Sequence, residues 1–461
     1  MNDCVPQMKF EPKPMKRLSS AGAVAQSIGA KVFIVGINAA TGIITARALL
    51  PTGRGELAVM ILWPVFLASA MTLGIPSALT FQLRSHPEKR SQLMGTALLL
   101  ALLTSAFAML VGFLFMRHWI AQYPPKTILF AQMFLLSAPL TSLLLVGRAG
   151  LESGGAFGAS NKLLICSPTL TLVWLLILLA RHSLTPYSAA VAYVPVGVVP
   201  VVWMVCSLWR HFRPGFGAFR SSAQLLLSYG VRSYGIDLCG SMAGYVDQAL
   251  VVRVLQPKMM GIYVVALSLS RMLAVFHGSV IMVLFPKAVS QSVGAIRELT
   301  SRAMRMSTLL TASAGIVIVA LGSQVLALLY GPEYRSANAL LGILVAEVIL
   351  SGATLVLSQA FMAMGRPGVI TALQVTGLML TIPLMILLVP HFGIVGAAVA
   401  LLISTTGRFI FVLASFPIFL KVPMPQVFPK REDLLYMAQA VLKKIGLFSE
   451  KPLRAAEGME S

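Results

Sequence analysis

The chain has 461 residues, of which 57% are hydrophobic and only 11% charged, with a formal net charge of +21. A soluble protein of this length carries roughly a quarter charged residues, so the composition, with a mean hydropathy of +0.85, excludes a soluble globular protein. Long apolar runs such as "LMGTALLLALLTSAFAMLVGFLFM" exceed the roughly ten alternating residues of a membrane barrel strand. The fold class expected is therefore an all-α polytopic membrane protein, since lipid tolerates only helices or closed barrels.

In chain order, residues 1–20 are polar and basic, with Lys9, Lys13, Lys16 and Arg17 among three prolines. No apolar segment there ends in a cleavage site, so a removable signal peptide is not expected. Twelve helices are predicted, at 24–46, 57–83, 92–116, 126–147, 162–180, 187–209, 224–252, 259–285, 306–330, 336–362, 368–389 and 393–419. They divide into an N-lobe (21–210), a cytoplasmic linker (211–223) and a C-lobe (224–420), followed by a basic tail (421–461). In that tail Leu434, Ala438, Val441, Ile445 and Phe448 share a face beside Lys443 and Lys444. That segment reads either as a helix in the membrane interface or as a solvated one.

With the N-terminus inside, 24 of the 36 Lys and Arg residues fall in inner segments and eight in outer ones. The positive-inside rule then places both termini in the cytoplasm. It also explains the net charge without nucleic acid. Cys4, Cys166, Cys206 and Cys239 follow no metal-ligand spacing and read as small buried apolar residues.

One pattern occurs twice. "RALLPTGRG" from Arg47 and "RVLQPKMMG" from Arg253 both fit Arg-x-Leu-x-Pro-x-x-x-Gly at an offset of 206 residues. Each falls on the outer turn of the first predicted hairpin of a six-helix block, where Pro and Gly read as helix punctuation. A weaker echo pairs "GGAFG" (154–158) with "GRPGV" (365–369). Two blocks of six helices share one orientation, so parallel repeats about an axis along the membrane normal are expected, with a cavity between them.

The four remaining basic residues, Lys31, Arg232, Arg271 and Arg408, lie in or near spans. So do the acids Asp237, Asp247 and Glu347. A charge in a span costs about 2.5–3.5 kcal/mol on insertion scales and by default faces a hydrated interior or a partner. Helical spacing puts Lys31 and Asn38 on one stripe with Gly42 and Thr45. Ser233, Asp237, Gly244 and Gln248 form a second stripe. Glu347 aligns with Ser351, Thr354 and Ser358, and Arg408 with Ser404 and Ser415. The hydroxyl and glycine members suit helix packing. Lys31, Arg271 and Arg408 suit a cationic lumen for an anionic substrate, since Arg forks onto phosphate oxygens. Asp237 and Asp247 read either as ion-coupling carboxylates, together with Glu347, or as partners of Arg232 and Lys31.

The outer loops are short and hold only Glu56 and Glu333 as acids, and the six histidines are scattered. No nucleophile–base pair, phosphate-binding Gly-rich loop or metal cluster is apparent, so neither an enzyme nor a cofactor is expected.

The stretches "ITARALLPTGRGELA" (44–58), "GYVDQALVVRVLQPKMMGIYVVALSLSRML" (244–273), "VLFPKAV" (283–289), "LLYGPEYRSANALLGIL" (328–344), "GRPGVITALQVTG" (365–377) and "VPHFGIVGAAVA" (389–400) resemble the polysaccharide transporter branch of the multidrug/oligosaccharidyl-lipid/polysaccharide exporter superfamily. Their order spans most of residues 20–420. The resemblance implies two six-helix lobes in the bacterial inner membrane. It further implies an undecaprenyl-diphosphate-linked oligosaccharide as substrate, flipped from inner to outer leaflet, with polysaccharide polymerase and chain-length proteins as partners. A lipid II flippase and a cation-coupled multidrug exporter are sister readings within the superfamily. Arg232 matches no pattern of the branch.

Overall fold

The computed structural model describes residues 20–289, 291–428 and 430; the side chains of 20–28, Lys31, Ile236 and Pro286 lie outside that description. The tail helix read at 434–448 also lies outside the described residues. Among them, every regular element is helical. The α-helices are α1 (Ser20–Ala70), α2 (Ile75–Ser85), α3 (Arg90–Trp119), α4 (Pro125–Phe134), α5 (Ala138–Ser153), α6 (Phe157–Ala180) and α7 (Pro186–Phe212). The second half of the chain adds α8 (Phe219–Val254), α9 (Pro257–Arg271), α10 (Ala274–Ala288), α11 (Val293–Ala320), α12 (Gly322–Leu329), α13 (Asn338–Ala363) and α14 (Pro367–Ser415).

Nine helical stretches of the described residues are long and apolar enough to cross a membrane. Two of them, Val32–Ala70 with 39 residues and Pro367–Leu420 with 54, exceed the ~20 residues one crossing needs. Each contains a break: Leu50 at φ 57, ψ 174 in α1, and Gly393 at φ 58, ψ −137 in α14. The residue ahead of a proline is pushed out of the helical region, and Leu50 precedes Pro51. At the second copy of the pattern, Leu255 and Gln256 are extended ahead of Pro257, the first residue of α9. Prolines therefore start the new helix at both sites, as read from sequence.

The glycines of the pattern do something else. Gly55 and Gly261 lie inside helices, and each lies where a Cβ would overlap the carbonyl oxygen of the other copy's proline, Pro257 or Pro51. The weaker echo is also structural. Gly155 (φ 80) and Gly365 (φ 69) each close a helix in the left-handed conformation. Ala156 N–H reaches Leu151 O and Arg366 N–H reaches Phe361 O, both at 2.8 Å, the wider bond of a Schellman cap.

The structure departs from the sequence reading in three further ways. The predicted helices 57–83 and 259–285 are each split, at residues 71–74 and at 272–273; the first break carries left-handed Leu73 and Gly74 ahead of Pro76, while at the second the backbone stays in the right-handed helical region. Tyr234 donates its hydroxyl to Ala70 O. Second, α11 starts at Val293, so Arg297, Arg302 and Arg305, read as loop cations, lie on a helix, and Arg305 is buried. Third, Cys206 is exposed and Cys166 and Cys239 are half-buried. A small apolar side chain is compatible with hydrocarbon solvent as well as with a protein interior.

Packing reveals the layout. One large apolar core joins residues of both halves of the chain, from Ala46–Leu67 to Val251–Leu273, Leu326–Val348 and Met385–Ala400. It lies at the end of the bundle that carries the two Arg-x-Leu-x-Pro-x-x-x-Gly turns, here called the turn end. Toward the opposite end the core divides. One cluster draws on Ile75–Leu226 and a separate one on Leu284–Phe416. α1 packs most extensively on α9. Phe113, Leu114, Val202, Ile316, Met379 and Ile410 belong to a broad exposed apolar surface, as expected where the surrounding solvent is hydrocarbon.

Candidate functional site

Where the core divides, two cavities open between α1 and the α9–α10 pair. The larger, about 450 Å³, is largely apolar: Val32, Ile34, Val35, Leu164, Val275 and Met282 contribute to its wall, with Arg148 and Arg271 as its cations. The smaller, about 230 Å³, is lined by Val35, Asn38, Ala39, Ser268, Arg271, Met272 and Tyr330. Arg271 lines both.

The position of Arg271 follows from the split helix. α9 ends at Arg271 and α10 starts at Ala274. A cation in a last turn complements the negative end of the helix dipole. Its side chain is 44% exposed, yet it pairs at 3.4 Å with Asp247 of α8, which is 1% exposed. The same Asp247 Oδ2 accepts the Tyr263 hydroxyl at 3.0 Å. Oδ1 of Asp247 is buried without a hydrogen-bond partner. Removing a buried carboxylate from water costs several kcal/mol unless it is compensated, and Arg271 is the opposite charge beside Asp247. Tyr330 closes the smaller cavity toward the turn end. Burial pushes its phenol up, against the pull of a hydrogen bond with Ser268 and of the Arg54 charge, so it stays a neutral donor.

The other residues singled out from sequence are distributed as follows. Asn38 is exposed on α1 and lines the smaller cavity. Lys31 lies in the same helix one to four residues from cavity-lining Val32 and Val35; its side chain is outside the description. Arg408 and Glu347 pair at 3.9 Å. Thr405 bridges them, accepting from Arg408 at 2.6 Å and donating to Glu347 at 2.8 Å. Arg408 packs against Gly377, where a Cβ would overlap its side chain, and it lines neither cavity. Arg232 is exposed on α8, also away from both. Asp237 accepts from Ser77 Oγ at 2.9 Å, next to the start of α2. Of the polar stripe on α8, Asp237, with the neighbouring Ser241, thus contacts the segments flanking the break at 71–74, at Ser77 and at Ser69 O. The hydroxyls of the α14 stripe tie helix to helix: Ser404 bonds Gly377 O at 2.9 Å and accepts from Thr381 at 2.7 Å.

Sequence reasoning missed Arg148. It was assigned to an inner loop because the apolar run stops at residue 147. α5 in fact continues to Ser153 and turns Arg148 into the larger cavity, with Glu152 one turn on at 3.1 Å and Ser160 bridging. An Arg–Glu pair at i, i+4 just beyond an apolar run was the available signal.

Among the described residues, no cluster of His, Cys, Asp or Glu could hold a metal ion. A helical membrane bundle with a divided core, split helices and a cation shared between two cavities has the architecture of a transport protein.

Comparison with known proteins agrees. Residues 44–339 match the family described as polysaccharide biosynthesis protein. The chain belongs to that family, in the polysaccharide-transporter branch of the multidrug/oligosaccharidyl-lipid/polysaccharide exporter superfamily. A curated relative, the probable low-salt glycan biosynthesis flippase Agl15 of Haloferax volcanii, is 26% identical over 212 residues. That match spans 45% of this chain and 44% of the relative, less than half its length. Among solved structures, the lipid II flippase MurJ in an inward closed conformation superposes with a TM-score of 0.71 at 14% identity, over 92% of this chain and 93% of that one. An inward-facing multidrug resistance MATE family transporter gives 0.66 at 14% identity, over 85% and 96%. A superfamily transporter from Pyrococcus furiosus, whose structure is described as having a binding pocket of reverse polarity, gives 0.60 at 14%, over 87% and 96%. At such identities these likenesses establish the fold.

Proposed function

We propose that this protein is a flippase that carries a lipid-linked oligosaccharide diphosphate from the inner to the outer leaflet of the bacterial cytoplasmic membrane by alternating access, and that it is not an enzyme. The observation that carries the reading is the position of Arg271 at the junction of an apolar cavity and a smaller polar one. The diphosphate sits on Arg271, assisted by Arg148 and Lys31. The first sugar lies in the smaller cavity against Asn38, Ser268 and Tyr330, and the lipid side follows the apolar wall.

In this reading the nine apolar stretches, with the two broken ones counted twice and α8 added, make twelve crossings in two lobes, 21–210 and 224–420, joined by 211–223. The turn end faces outward and both termini are cytoplasmic. Asp247, Glu347 and Asp237 are the carboxylates available for ion coupling, and Arg408 acts through Glu347. Polysaccharide polymerase and chain-length proteins are the expected downstream partners. The basic cavity disfavours a cationic drug. Lipid II shares the diphosphate and lipid chemistry, so its reading is decided by assay.

The test is the appearance of lipid-linked oligosaccharide on the far leaflet of reconstituted vesicles. Arg271→Gln is expected to cut the rate at least tenfold at normal protein level. Equal rates for the variant and the unaltered protein would refute the binding role. Faster movement of lipid II than of any oligosaccharide diphosphate would shift the substrate to that class.

A further inference from the structure

The two Arg-x-Leu-x-Pro-x-x-x-Gly turns touch each other, and they do so reciprocally. A Cβ on Gly55 would overlap Pro257 O and one on Gly261 would overlap Pro51 O. The same virtual atoms would lie 3.0 Å from Gly261 N and 3.1 Å from Gly55 N. The 206-residue offset maps Gly55 onto Gly261 and Pro51 onto Pro257, so this is one contact made twice. A self-complementary contact of that kind is the signature of a twofold interface. The arginines that open the two patterns also cross between halves. Arg47 Nε donates to Leu329 O at 2.8 Å, and its Nη2 donates to Leu328 O, covering orphan carbonyls at the end of α12. Arg253 reaches His118 Nε2 at 3.5 Å at the end of α3, while Gln122 donates to Arg253 O at 3.3 Å. Adding 206 to Gln122 gives Leu328, the residue Arg47 holds. Tyr334 adds a buried bond to Ala46 O at 3.3 Å.

We infer that the duplicated turn is a symmetric seal. Glycine at 55 and 261 lets the two halves close backbone to backbone, and Arg47 and Arg253 latch the closure onto helix ends of the opposite half. The seal shuts the cavities at the turn end, directly beyond Tyr330, and its opening is the step that exposes the site on that side. The inference rests on the alternating-access reading above. A methyl group at either glycine blocks closure without disturbing the packing within either half. It therefore shifts the population toward the form open at the turn end. Because the contact is reciprocal, both positions give the same shift.

The test uses Asn38→Cys in an otherwise cysteine-free full-length chain, labelled with a membrane-impermeant maleimide in sealed right-side-out and inverted vesicles. With the seal intact, labelling is expected from the termini side and not from the turn side. Gly55→Ala and Gly261→Ala are each expected to raise turn-side labelling at least fivefold and to similar extents. Arg47→Gln and Arg253→Gln should raise it less, and the double variant more than either. Unchanged turn-side labelling in the alanine variants at normal protein level would overturn the seal. If the alanine variants fail to accumulate, the Arg47→Gln/Arg253→Gln double variant decides: raised labelling supports the seal and unchanged labelling removes it. Labelling needs no glycolipid, so failure of the flippase assay leaves this result standing, and the reverse holds as well.

Discussion

Asp247 and Arg271 form a pair of unequal members. The acid is buried while the cation borders open cavity. Breaking a buried pair is costly when the surviving charge stays buried, but Arg271 would survive facing space that water or a substrate can fill. Asp247→Asn should therefore be tolerated by the fold, with Asn still able to accept from Tyr263. It should also free Arg271 for an incoming anion. Affinity for a soluble diphosphate headgroup analogue is expected to rise about tenfold, equivalent to ~1.4 kcal/mol. The flipping rate should fall because release is slower. Titration calorimetry alongside the vesicle assay checks this, and weaker binding would show that Asp247 supports the anion site rather than competing with it. The sequence marked both residues through their cost in a span, but left Asp247 open between an ion-coupling carboxylate and a partner of Lys31. Spacing along one helix says nothing about which side chain on another helix is within reach. Arg271 lies 24 residues from Asp247, on α9, and only the packing of α9 beside α8 brings the two within 3.4 Å.

At the scale of elements, the left-handed caps at Gly155 and Gly365 offer a clean measurement. A Cβ at either position meets nothing within 4 Å, so the cost of alanine is conformational, about 1 kcal/mol at each. Gly155→Ala and Gly365→Ala are expected to lower the thermal midpoint in detergent by matching small amounts. A much larger loss at one of them would point to an unseen contact there. The two caps also show how far the chain's letters carry. Pro and Gly marked both helix boundaries and both copies of the turn, because proline and left-handed glycine act locally. The break at 71–74 also carries a left-handed Gly74 and Pro76, which the sequence reading runs through as one helix, and no Pro or Gly marks the break at 272–273. At the first of these, Tyr234 and Ser241 reach the backbone of residues 69–70 from more than a hundred residues away. Nor could the letters show that Gly55 and Gly261 are contact glycines, since each needs the other half in place to have a role. Arg148 was lost for a different reason: hydropathy ends the helix where the apolar run stops, and only the Arg148–Glu152 spacing signals that it continues.

For the molecule as a whole, the sign of its interior sets the energetics. A diphosphate headgroup carries roughly two negative charges, and moving it outward across the entire field gains on the order of 4–5 kcal/mol per 100 mV. An inside-negative potential should therefore accelerate flipping in vesicles by itself, without a proton or sodium gradient. The empty carrier returns inward, so any cation it carries in excess of its paired carboxylates moves with the same field, and the potential does not oppose return. Rates measured under imposed potassium potentials should rise with the inside-negative potential. A rate that ignores the potential but follows a proton gradient would give the driving role to Asp247, Glu347 or Asp237 instead. The divided core fits this division of labour, with one shared cluster at the turn end and two separate clusters at the other.

The bond from Arg47 to Leu329 joins residues 282 apart in the chain. At about 5–20 residues per second of synthesis, the ribosome needs roughly 15–55 s after making Arg47 before its partner exists. During that interval the first half is already in the membrane with its share of the latch unfilled. An arginine suits this wait, because its exposed position at the rim lets water satisfy the guanidinium until the second half arrives. The glycine beside it presents no side chain that a premature neighbour could grip. The closing surface is thus built from groups that are harmless while incomplete, and the last helices to emerge decide when the assembly becomes a carrier.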